Sequence, residues 1–156
     1  MKKYLFMLVA VFAMSTAAFA QKGLTGFGVQ GAYDDLNGQF GIGVKLQLGL
    51  VDQLRGDVAT DLFFKKKGTS MVDVNANLHY VVPVASGFNV YPLAGLNLAF
   101  FNNDIVDIPT RLGANLGGGL EYYVASNVKI GGEAKYIVTS DGYSRFGANF
   151  GVTFLF

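Results

Sequence analysis

Taken every second residue, much of the chain divides into a bulky apolar series and a small, amide or charged series. The clearest run is 40–50, where Phe40, Ile42, Val44, Leu46, Leu48 and Leu50 alternate with Gly41, Gly43, Lys45, Gln47 and Gly49. The end of the chain repeats it, setting Phe146, Ala148, Phe150, Val152, Phe154 and Phe156 against Gly147, Asn149, Gly151 and Thr153. A period of two marks a strand, because successive side chains leave the backbone on opposite sides.

The same reading predicts six more strands. Phe27, Val29 and Tyr33 oppose Gly26, Gly28, Gln30 and Ala32, and Asp34 to Gly38 follows as a turn whose Asn-Gly suits the positive φ of tight hairpins. Leu54, Val58, Leu62 and Phe64 oppose Arg55, Asp57, Ala59 and Asp61, and Lys65 to Ser70 reads as a polar loop. Val72, Val74, Ala76, Leu78 and Tyr80 then oppose Asp73, Asn75, Asn77 and His79. After a turn at Pro83 to Gly87, Phe88 to Phe101 carries Pro92 on its apolar face, where it removes a ladder donor. Beyond the longest loop, Asn102 to Pro109, come strands over 111–123 and 128–138, joined by a turn centred on Ala125. Eight alternating strands joined in sequence order predict an all-β, eight-stranded antiparallel up-and-down barrel.

Charge decides which face is inside. The polar faces pool six cations, Lys45, Arg55, Arg111, Lys129, Lys135 and Arg145, and five carboxylates, Asp57, Asp61, Asp73, Glu121 and Glu133, while the apolar faces hold none. A soluble barrel of the lipocalin or avidin kind would have to contain every bulky apolar side chain in an interior that eight strands barely enclose. The reverse arrangement, apolar outside and a charge-balanced lumen, is that of a transmembrane β-barrel. Aromatics near the strand ends, Tyr33, Phe40, Phe64, Phe100 and Phe146 at one rim and Tyr80, Phe88, Tyr122, Phe154 and Phe156 at the other, fit two interfacial girdles. Aligning lumen faces across the turns places Glu121 opposite Lys129 and Asp61 opposite Asp73, two like charges that one or both of Arg111 and Arg145 are expected to reach.

The start of the chain adds an address. Lys2 and Lys3, the apolar run from Tyr4 to Met14 and the Ala18-Phe19-Ala20 triplet have the order of a Sec-type signal peptide, 1–20, cleaved after Ala20. The remaining 21–156, 136 residues from 156 less 20, suit one barrel domain. Without Lys2 and Lys3 there are ten basic against eleven acidic side chains, a balance that gives no reason to expect nucleic acid as a partner. With no cysteine, neither a disulfide framework nor a lipid-anchored cysteine is expected.

The leader, the eight strands, the runs Tyr91-Pro92-Leu93-Ala94-Gly95-Leu96 and Gly117-Gly118-Gly119-Leu120-Glu121-Tyr122-Tyr123, and the closing Phe156 together resemble the small bacterial outer-membrane β-barrel family that includes the outer-membrane protein A and X barrels. The resemblance covers the whole mature chain. It implies residence in the bacterial outer membrane, contact with outer-membrane lipid and lipopolysaccharide, and Phe156 as the signal read by the barrel assembly machinery. A monomer without cofactor or catalytic residue is implied as well. The expected role is structural or surface-interactive, through short extracellular loops, with a narrow porin-like channel for ions or small solutes as the alternative.

Candidate chemistry is sparse. His79 is the single histidine and is expected to serve as a buried hydrogen-bonding group. Gly113, Gly117, Gly118 and Gly119 precede no helix that would cradle a phosphate, and read as room for large lumen neighbours. Carboxylates spread over separate strands suggest no metal cluster. Lys65, Lys66 and Lys67 carry positive charge suited to lipopolysaccharide phosphates.

Overall fold

The computed structural model describes residues 24–156. The predicted leader, with Ala18 and Ala20, lies outside them. Nine strand segments follow one another: β1 (Leu24–Asp34), β2 (Gln39–Val51), β3 (Leu54–Lys66), β4 (Thr69–Tyr80), β5 (Val82–Ala85), β6 (Phe88–Asn103), β7 (Arg111–Ala125), β8 (Val128–Thr139) and β9 (Arg145–Leu155). Neighbours pair antiparallel, β9 returns to β1, and β4 pairs with β6, so the sheet closes on itself. β4 and β5 form one barrel strand: β6 runs past both in a single register, Leu93 facing His79 and Val90 facing Val82. The barrel is therefore eight-stranded. Closure leaves no long open edge, and in hydrocarbon each unpaired backbone group would cost several kcal/mol.

The break falls where β3 has already ended. Val81 N–H turns toward that side and donates to Gln53 O at 2.8 Å. Because N–H groups alternate along a strand, Pro83 directs its missing donor to the same unpaired edge. The strand continues to Ala85 only because β6 holds its other side, which is why the turn expected over Pro83 to Gly87 shrinks to Ser86 and Gly87.

Several other boundaries move. Asp34 ends β1 and does not belong to the turn. The β3–β4 link is only Lys67 and Gly68, both with positive φ, 51° and 80°, the requirement of a two-residue type I′ hairpin. Between β1 and β2 only Gly38 has positive φ, so Asn37-Gly38 does not form such a turn itself. The links form two sets: 35–38, 67–68, 104–110 and 140–144 at one end of the barrel, and two-residue turns at 52–53, 86–87 and 126–127 at the other.

The wall is inside-out relative to a soluble protein. Phe40, Ile42, Leu116 and Phe150 are 57–66% exposed, whereas Asp61, Asp73, His79, Asn75 and Arg145 are at most 2% exposed. Pro92 faces outward beside the exposed Ala94 and Leu96, as its place in the apolar series requires. The lumen is not wholly polar, however. Just below the loop end, Ala32, Phe63, Met71, Ala99 and Phe101 point inward as an apolar cluster, covered by Leu36 and Ile108 from the links.

Candidate functional site

The lumen holds the chain's concentrated chemistry, arranged in layers. Nearest the loop end, Arg145 leaves β9 and reaches three other strands. Its Nε donates to Asp34 Oδ2 at 2.6 Å, and its Nη2 donates to both oxygens of Asp73 at 2.8 Å and to Asn97 Oδ1 at 3.1 Å. Asp61 and Asp73 do stand directly opposite in the ladder, but they take different partners. Asp61 accepts from Gln30 Nε2 at 2.7 Å and Asn149 Nδ2 at 3.2 Å. Its carboxylate fits because β2 offers Gly43 there: a Cβ would lie 2.0 Å from Asp61 Oδ1.

Arg111 does not join this layer. It begins β7 at the mouth, pairs through Nε with Asp141 Oδ2 at 3.0 Å, and lies between the rings of Phe101 and Tyr143, its Cζ 4.9 and 3.8 Å from their centroids. Of the two arginines, one or both of which were expected to reach the Asp61 and Asp73 pair, Arg145 does so at Asp73 and Arg111 does not. An aromatic pair and a half-exposed acceptor at the mouth satisfy a planar cation there, so it need not reach deeper into the lumen.

The middle layer is amide. Asn115 Nδ2 donates to Asn75 Oδ1 at 2.9 Å and Asn77 Oδ1 at 2.8 Å, and Asn97 Nδ2 donates to Asn75 Oδ1 at 2.9 Å.

The third layer sits toward the turn end. Arg55 Nη1 donates to Glu121 Oε1 at 3.0 Å, and Lys129 Nζ donates to Glu121 Oε2 at 2.8 Å. Here the expected register is off by two residues. Lys129 faces Tyr123 and Glu121 faces Gly131, because the turn is at Ser126 and Asn127 and not centred on Ala125, which adds three residues, and a bulge between Tyr123 and Ala125 takes one back. The ion pair forms on the diagonal, which a lysine side chain spans readily. Lys45 and Lys135 are buried in the lumen too, their stems lying where Gly28 and Gly147 carry no side chain.

Asp57, His79 and Glu133, read from sequence as separate, converge here with candidate ligand atoms within 4.8 Å of one another. The donor set nevertheless suits an ion-pair cluster better than a metal. Arg55 Nη2 is 3.1 Å from His79 Nδ1. A guanidinium only donates, so Nδ1 accepts and a neutral ring keeps its proton on Nε2, which faces Glu133 Oε2 at 3.7 Å. Tyr91 O–H donates to that same oxygen at 2.9 Å, stacks on His79 with centroids 4.5 Å apart, and lies under Arg55. Asp57 meanwhile accepts from Gln47 at 3.2 Å.

Sequence reading missed Tyr91, Asp34 and the inward-facing Phe63, Met71, Phe101 and Ile137. A signal was present: Phe63-Phe64 and Phe100-Phe101 are adjacent aromatics, and in a strand adjacent residues must face opposite ways. Gly119 does make room for a large neighbour, since a Cβ would lie 2.5 Å from Tyr91 Cζ. Gly118, by contrast, belongs to the outward series.

At the loop end, Lys65 pairs with Asp104, and Lys66 Nζ donates to Gly38 O at 2.6 Å, tying neighbouring links together. Asn103 Oδ1 accepts from Ile105 N–H at 2.9 Å and Val106 N–H at 3.2 Å, which shapes the longest link.

Comparison with known proteins agrees with this architecture. The N-terminal β-barrel domain of Pseudomonas aeruginosa OprF superposes with a TM-score of 0.68 at 20% identity, over 86% of this chain and 98% of that one. Neisserial surface protein A gives 0.65 at 20%, over 85% and 96%. Ail of Yersinia pestis gives 0.57 at 14%, over 86% and 99%. At these identities the likeness is one of fold. No curated protein sequence matches the chain significantly. The model of the outer membrane protein beta-barrel domain, however, matches residues 6–156, nearly the whole length. The chain therefore belongs to the outer membrane protein β-barrel domain family, and its place is the bacterial outer membrane.

Proposed function

We propose that the protein is a closed, non-enzymatic structural barrel of the outer membrane, which meets its surroundings through its outer wall and short loops and does not conduct. The lumen carries this reading. Three layers of buried, mutually hydrogen-bonded side chains cross it, around Arg145, Asn115 and Glu121, beneath an apolar cover made by Phe63, Met71 and Phe101. An ion would have to break charge-assisted bonds in at least two of them, in an interior of low dielectric where those bonds are strongest. His79, the natural general base, is fully buried and held by Arg55, out of reach of a substrate.

Several partner assignments belong to the same proposal. The turns at 52–53, 86–87 and 126–127 face the periplasm and the links at 35–38, 67–68, 104–110 and 140–144 the cell exterior, the side on which this class carries its longest connections. Residues 1–20 direct export and are removed after Ala20. Phe156, exposed at the end of β9, is read by the barrel assembly machinery, and the folded barrel is a monomer. Planar-bilayer recording of the purified protein tests the central claim: a flat baseline is expected, and steady unitary openings would overturn it.

A further inference from the structure

The outer wall is uneven in one place. Across β9, β1, β2 and β3 it carries an apolar groove of about 610 Å3, lined by Val29, Gly31, Ile42, Val44, Leu62 and Phe150, with Thr60 its outward polar group. Register explains it. Gly31 stands in the ladder between Phe150 on one side and Ile42 on the other, and has no side chain to fill the gap. Phe150 leans away, its Cδ2 reaching to 3.6 Å from where a Cβ on Gly132 would stand. A Cβ on Gly31 would itself meet only Phe150 O, at 3.8 Å, so nothing in the packing demands glycine there.

Depth and charge select an occupant. Gly31, Ile42 and Leu62 each lie one outward position, about 7 Å along the strand, from the aromatic rim formed by Tyr33, Phe40 and Phe64 at the loop end. The groove thus opens into the outer leaflet and is continuous with the lipid-facing wall. Directly above, on the same strands, Lys66 joins the β1–β2 and β3–β4 links and Lys67 occupies the exposed hairpin tip. A lipid with anionic phosphates above saturated chains complements both features. Because lipid is as apolar as leucine, selectivity here comes from packing contacts and not from exclusion of water.

We propose that this groove seats one acyl chain of a lipopolysaccharide molecule whose phosphates meet Lys66 and Lys67. The proposal depends on the outer-membrane location and not on lumen closure, so conductance would leave it intact. Its test is native mass spectrometry of protein extracted from outer membranes of cells expressing the full chain, stripped of lipid and offered bis-phosphorylated lipid A and phosphatidylglycerol at equal concentration. A one-to-one lipid A adduct is expected to dominate, and Gly31→Leu to reduce it about tenfold. Val44→Phe narrows the groove from β2 and is expected to act likewise, while Ala134→Leu, on the outer face of β8, leaves the adduct unchanged. A heat-dependent gel shift verifies that each variant is folded. A folded Gly31→Leu or Val44→Phe variant with an undiminished adduct, equal loss in Ala134→Leu, or equal retention of phosphatidylglycerol would each overturn the proposal.

Discussion

Arg145 enters β9 from an extracellular link, and its guanidinium spans the lumen from Asp34 on β1 to Asp73 on β4. All three are at most 2% exposed, so removing the cation strands two carboxylates in a medium that solvates them poorly. Breaking a buried network from one side costs about 3–5 kcal/mol. Arg145→Ala is accordingly expected to lower stability by that order in urea unfolding from lipid vesicles, and Asp34→Asn with Asp73→Asn added to it to recover much of the loss. Purely additive losses would mean that the network is not coupled. Arg111→Ala should move the midpoint far less, since Asp141 beside it faces water. Asp34 was not legible as a member of this layer because an Asp-Asp-Leu-Asn-Gly run reads as turn chemistry, and only pairing with Phe40, Gln39 and β9 shows how far β1 extends.

Strands tolerate substitution according to what lies across from them. A side chain at Gly43 would collide with Asp61 and with Thr60 O, 2.6 Å from its Cβ, and the backbone cannot yield without opening the β2–β3 ladder. Gly43→Val is therefore expected to cut the folded fraction sharply on a heat-modifiability gel, while Gly31→Ala, whose Cβ would meet only Phe150 O at an ordinary 3.8 Å, leaves it unchanged. β5 presents a different constraint. Its edge beyond β3 is unpaired, and Pro83 withholds the donor an intruding strand would use. Pro83→Thr restores that donor. Size-exclusion chromatography in detergent should then show more dimer and higher species than wild type, and an unchanged profile would show that the edge needs no such protection.

As a whole, the molecule is stable in a membrane because its hydrogen-bonded ladder is closed and its apolar face is turned outward. It should run at an apparent mass that changes only on boiling, since detergent cannot readily peel a strand from a sheet without a long open edge. Deletion of Phe156 should lower the amount of folded barrel recovered from outer membranes more than deletion of Asp107, a loop residue outside every strand. Equal recovery would remove Phe156 from the assembly step.

Strand number, fold class and the inside-out wall were legible in the amino-acid order, because a period of two needs no knowledge of neighbours and the complete separation of charge from one face admits one arrangement. Which charges meet was not. Register depends on the place of each turn and on bulges, so the Ser126-Asn127 turn together with the bulge between Tyr123 and Ala125 moved Glu121 by two residues against Lys129, though a long side chain still closed that pair. Contacts across the lumen depend further on barrel closure, which brings residues 111 positions apart in sequence, Asp34 and Arg145, to 2.6 Å, and draws Asp57, His79 and Glu133 from three strands into one cluster. No local pattern encodes such distances. They arise when β9 pairs with β1 and the polar faces, now enclosed, must satisfy one another.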